Sequence, residues 1–112
     1  MRSLNVFAFA SLIAVAACGS DSTTAPSAPV SSNAVTISNN QFSSSNIQVS
    51  AGTTVTWTWA SNASQHNVSF SDGTTSGNRG ANATFTRTFA TAGTFSYSCT
   101  LHSGMNGTVT VK

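Results

Sequence analysis

Three side chains near the C-terminal end of the sequence, and one upstream, carry the chemistry. Cys99, His102 and Met105 form a C-x2-H-x2-M run, and His66 is the other histidine of the chain. Both histidines and the only methionine after Met1 therefore fall into one candidate set. Each is ordinary alone: a buried cysteine is common and a methionine is usually core filler. Together they offer two imidazoles, a thiolate and a thioether. Two histidines and a cysteine in a trigonal arrangement, with a weak axial methionine, are the donor set of a copper centre that passes electrons. Zinc prefers four strong donors, for which a thioether is a poor fourth. Calcium and magnesium require oxygen ligands, and after the N-terminal region the only acidic residue is Asp72.

Cysteine count points the same way. Cys18 and Cys99 are the two cysteines, which in an exported chain would ordinarily suggest a disulfide. Cys18, however, follows directly on an apolar run, Leu4 to Ala17, that begins after Arg2 and ends in Val15-Ala16-Ala17-Cys18-Gly19. A positive start, a short apolar stretch and small residues make a secretory signal, too short to span a bilayer comfortably. The ending resembles the lipobox of bacterial lipoproteins, which implies a lipid on Cys18 and leaves Cys99 alone. Residues 1–17 are expected to be a signal peptide. Residues 18–33, holding both prolines and lacking apolar periodicity, are expected to be a lipid-anchored flexible linker.

The elements that must position the candidate ligands lie in 34–112. Alternation of apolar and polar residues marks half-buried strands: Val35 and Ile37; Ile47 and Val49; Val55, Trp57 and Trp59; Val68 and Phe70; Phe85 to Phe89; Phe95, Tyr97 and Cys99; Val109 and Val111. Turn signals separate them at Ala51-Gly52, Asp72-Gly73, Ala92-Gly93 and Asn106-Gly107. Glutamate is absent and lysine occurs once, which disfavours helices. About seven short strands at this spacing predict an all-β, antiparallel sandwich of two sheets. Ser71 to Asn82 reads as a surface connection between the sheets. The strand phase places Cys99 on the inward face with Phe95 and Tyr97. A domain of this size has a modest core, and a metal clipping its loops together would stabilise it.

Only 5% of the 112 residues are charged and the net charge is +2. That gives no clustered basic face for a nucleic acid.

The stretch from Ala34 to Lys112 resembles a cupredoxin of the amicyanin and plastocyanin group. The likeness rests on Ala51-Gly52-Thr53-Thr54-Val55-Thr56-Trp57, on His66-Asn67-Val68, on Gly93 to Cys99, and on His102-x2-Met105-x-Gly107. The short spacing between His102 and Met105 is amicyanin-like. The resemblance implies a Greek-key β-sandwich with one copper per chain, held by His66, Cys99, His102 and Met105 at one end. It implies that Asn67 donates a backbone N–H to the cysteine sulfur and ties its side chain near Thr100. It also implies that the ring edge of His102 reaches the surface, within an uncharged patch of Leu101, Ser103, Gly104 and Met105 where redox proteins dock. Two prolines common in relatives are replaced by Leu101 and Ser103, and Gly104 adds further freedom, so a looser ligand loop is expected. Gln65, before His66, stands at a position that varies in the family. The expected protein is an exported, monomeric, membrane-anchored electron carrier and not an enzyme. Copper storage or delivery is the alternative, and a metal-free adhesive sandwich fails to explain why these ligands converge.

Overall fold

The computed structural model describes residues 28–112, so the expected signal peptide, Cys18 and most of the expected linker lie outside the described residues. Nine strands and no helix occur among them: β1 (Val30–Ser31), β2 (Ala34–Ser38), β3 (Gln41–Ser43), β4 (Asn46–Val49), β5 (Thr53–Trp59), β6 (Ser69–Phe70), β7 (Thr84–Phe89), β8 (Gly93–Ser98) and β9 (Asn106–Val111). They form two sheets, ordered β1-β4-β9-β8-β6 and β3-β2-β5-β7. No described helix is long and apolar enough to cross a membrane.

The alternation in the sequence becomes the inside and outside of the sandwich. In β5, Val55, Trp57 and Trp59 are buried while Thr54 and Thr58 face outward. Trp57 joins the two sheets. It meets Tyr97 and Phe70 of the facing sheet edge-on, at ring-centroid distances of 5.5 and 5.7 Å. Such pairs contribute about 0.5–1.5 kcal/mol each beyond the area they bury.

The sheets are mixed, not antiparallel throughout. β1 with β4, β4 with β9, and β2 with β5 run parallel. The chain crosses between sheets at β1–β2, β3–β4 and β4–β5, so strands that become neighbours within a sheet are joined by crossovers and can run the same way. Apolar alternation has the same period in either direction and does not distinguish them.

Three local features differ from the sequence reading. β1 lies within the stretch read as linker, and Val30 and Ser31 pair with Ile47 and Gln48. β3 had no alternating run to announce it, yet its Phe42 is buried and lies edge-on to Tyr97 at 4.9 Å. Asn106-Gly107, read as a turn, begins β9. Gly107 pairs with Tyr97, and a Cβ on it would sit 2.2 Å from the tyrosine ring. Glycine is required there by close approach, not by a turn.

The connection from β6 to β7 does cross between the sheets, and it does more. Through isolated bridges it folds back on β6 and the chain just before it, pairing Thr75 with Ser69 and Arg79 with His66. On the sheet edge below, Arg87 lies over the rings of Phe70, Phe89 and Phe95 at 4.3–5.2 Å and binds Asp72 at 2.5 Å. That contact holds the Asp72 carboxyl down to about 2.

Candidate metal centre

The ends of two connections meet at one pole of the sandwich. One is the chain before β6, which carries His66 and Asn67. The other is the whole β8–β9 connection, residues 99–105. Cys99 immediately follows β8 and keeps its inward phase, so its thiol is buried among the core residues.

His66 is 0% exposed. Its backbone is fixed by a two-way pair with Arg79, N–H to carbonyl in both directions at 3.0 and 2.9 Å. Burial, reinforced by the charge His102 would carry, holds the imidazole below its usual protonation range. The ring is therefore kept neutral, the form that can bind a metal.

His102 sits half-buried in a tight turn. Met105 N–H reaches back to the His102 carbonyl at 3.5 Å, and Gly104 adopts φ +81°. A positive φ at the third residue is the type II turn, which favours glycine there. Gly104 thus aims the chain back toward the core, and does not merely loosen the loop as expected. The backbone N–H of Cys99 closes the loop by donating to the Met105 carbonyl at 2.9 Å.

The result is convergence of three donor atoms. The Nδ1 atoms of His66 and His102 lie 3.1 Å apart, and the Cys99 Sγ lies 3.9 and 3.7 Å from them. A point equidistant from the three is about 2.1 Å from each, the length of a transition-metal–imidazole bond (~2.0–2.1 Å). Among the described residues no other group of histidine, cysteine or acidic side chains is arranged to hold an ion. Met105 is buried at the same pole; as a thioether it supplies the soft fourth group.

Asn67 ties the two connections together. Its backbone N–H points at the Cys99 sulfur at 3.5 Å. Its side-chain oxygen accepts from Thr100 N–H at 3.0 Å, and its amide donates to the Thr100 hydroxyl at 2.7 Å. The resemblance had indicated both contacts. Asn67 also bonds to Asn78 at 2.9 Å and Ser69 at 3.0 Å. Asn39 and Ser64, close to His66, and Asn78 and Arg79, behind the first ligand, were not visible in the sequence. No periodicity or motif spacing links them to the site.

The family profile of copper-binding proteins of the plastocyanin/azurin family matches residues 30–112. The chain belongs to that family. Comparison with curated protein sequences gives no match. Among solved structures, this cupredoxin chain is similar to a purple cupredoxin from Nitrosopumilus maritimus, at 26% identity and TM-score 0.64, covering 72% of this chain and 100% of the other. It is also similar to a reduced variant of amicyanin, at 30% identity and TM-score 0.65, covering 70% and 80%. A copper-containing nitrite reductase from Thermus scotoductus shares the fold over 22% of its own length at 21% identity and TM-score 0.63. The cupredoxin site accordingly takes copper: two imidazole nitrogens and a thiolate converge, and no carboxylate competes.

One surface expectation is corrected. Leu101, 46% exposed, Ser103 and Gly104 do face solvent beside His102, but Met105 is 2% exposed and contributes nothing to the surface. The reason is the Gly104 turn, which sends the residue after it inward.

Proposed function

We propose that this chain carries single electrons between redox proteins outside the cytoplasm, using a copper ion held by His66, Cys99, His102 and Met105. The observation that carries the reading is the convergence of two Nδ1 atoms and one thiol sulfur within 3.9 Å of one another at a buried pole. Bound copper supplies a one-electron couple. The protein's part is to hold the donors in one geometry for both oxidation states. Pairing of His66 with Arg79 and of Asn67 with Thr100 supports that role. Four protein donors leave no position for a substrate, which favours a carrier over an enzyme.

Electrons would enter and leave at His102, the half-exposed ligand, with Leu101, Ser103 and Gly104 as the uncharged surface around it. Redox encounters use small interfaces, typically under ~1,200 Å², and this surface suits a partner docking by an apolar contact. A lipid on Cys18 and a linker after it would keep a monomeric domain near a membrane while it reaches its partners.

The test is a Cu(II) titration of the chain followed by visible absorption, beside Cys99→Ser. An intense charge-transfer band saturating at one copper per chain, and absent in the variant, is expected. A band that persists without Cys99 sinks the reading. Rapid reversible reduction supports the carrier, whereas ready transfer of copper to a metal-free acceptor would move the assignment to copper delivery.

A further inference from the structure

Every hydrogen-bonding atom of a buried imidazole needs a partner, and the far side of His66 has one that the copper site does not explain. Its Nδ1 faces Cys99 and His102. Its Nε2 faces Asn39 Oδ1 and Ser64 Oγ, each at 3.4 Å. Asn39 belongs to the turn between β2 and β3, in the sheet that supplies no ligand.

The surrounding bonds fix which atom of Asn39 points where. Its Nδ2 donates to the Asn62 carbonyl at 3.2 Å, so that end must be the amide nitrogen. Its Oδ1 then accepts from Ser64 N–H at 2.8 Å and from the Ser64 hydroxyl at 3.0 Å. The Ser64 hydrogen is thereby committed to Asn39. Both groups near His66 Nε2 offer it only lone pairs. A neutral imidazole has one N–H and one bare nitrogen, so Nε2 must carry the hydrogen and Nδ1 must be bare.

We infer that Asn39, acting with Ser64, is a positioning residue that locks His66 in the tautomer whose Nδ1 faces the metal. The lock is made before any metal arrives, because every bond in it is between protein atoms. It also sets ring orientation, since the shared Nε2–H anchors the edge opposite the ligand nitrogen. Asn39 adds something a backbone carbonyl could not, because its side chain can be replaced by one of different charge.

The inference leans on the copper reading only for its electrochemical arm. The test compares wild type, Asn39→Ala and Asn39→Asp by nitrogen-15 NMR of the histidine rings, in the metal-free and the reduced copper-loaded chain at one pH. In wild type, His66 is expected to show a protonated Nε2 whose hydrogen exchanges slowly with water. In Asn39→Ala that exchange should speed up about tenfold, the effect of losing one hydrogen bond of about 1.4 kcal/mol. Asn39→Asp keeps the acceptor and should restore slow exchange. In the copper-loaded chain it should also lower the reduction potential, because an anion beside His66 favours the more positive copper state. Equal exchange in all three proteins overturns the inference. So does a fast exchange in Asn39→Ala that Asn39→Asp fails to restore. The metal-free arm gives its answer even if the copper assignment fails.

Discussion

The two halves of the metal centre are built in opposite ways. The His66–Asn67 segment has no regular strand of its own, yet it is bonded on all sides: to Arg79 through its backbone, to Thr100 and Asn78 through Asn67, and to Asn39 and Ser64 through the His66 ring. The 99–105 loop leaves and re-enters regular strands, but its tip, Leu101 to Gly104, is held by one turn and is open to solvent at Leu101, Ser103 and Gly104. One half is fixed by many partners and is closed; the other is fixed by its own backbone shape and is accessible. A carrier needs both, one ligand set that does not move and one edge through which a partner can reach it.

The sharpest way to break this contrast is to delete each imidazole in turn. His102→Gly opens a gap to solvent, and added imidazole should restore the copper charge-transfer band. His66→Gly leaves a closed cavity, since that ring is 0% exposed, and no recovery is expected. Equal rescue of both, read from the visible spectrum, would refute the distinction between an open and a closed ligand.

A smaller effect is expected from Asn67→Ala. It removes the partner of Thr100 N–H and of three further polar groups. A loss of about 2–4 kcal/mol is expected in denaturant unfolding, together with a shifted absorption band because the two connections are no longer tied.

Gly104→Ala should cost less, about 1–2 kcal/mol, the penalty of a left-handed backbone for a residue with a Cβ. Nothing lies within 4 Å of the position a Cβ would take, so the cost is conformational and not steric. A lower Tm with an intact copper stoichiometry would match a loop held by backbone shape. Loss of copper binding as well would show that the turn is as essential as the Asn67 network.

The smallest effect is pH dependence in the metal-free chain. Burial lowers the His66 pKa below 6.5, so below about pH 6.5 the unfolded chain takes up a proton that the folded chain resists. Stability is full above that value and falls as the solution is acidified through it. His66→Gln should flatten this slope. A separate fall, from about pH 3.8 toward 2, belongs to Asp72, whose bond to Arg87 is lost on protonation. Urea unfolding at a series of pH values separates the two windows.

Much of this was legible in residue order. Alternation around Trp57 and through Phe95 to Cys99 gave the strands and their buried faces, because side chains alternate sides whatever sheet a strand joins. Parallel pairing was not legible, for the same reason. Phe42 gave no signal because a three-residue strand is too short to show a period. Asn106-Gly107 misled because glycine serves tight turns and close approaches alike, and only Tyr97 packed across it reveals which.

By itself the sequence determined the donor set, since the types of His66, Cys99, His102 and Met105 select a soft metal before any shape is known. It also determined the short loop between Cys99 and Met105, since chain length limits how far apart they can be. The tertiary structure alone decided that His66 closes against the Cys99 loop, that Met105 turns inward while Leu101 stays out, and that Asn39 faces the far side of His66. Those relations join residues up to 36 positions apart. They follow from which strands pair and how two sheets pack, and those are properties of the whole chain's burial and hydrogen bonding, not of any local run of residues.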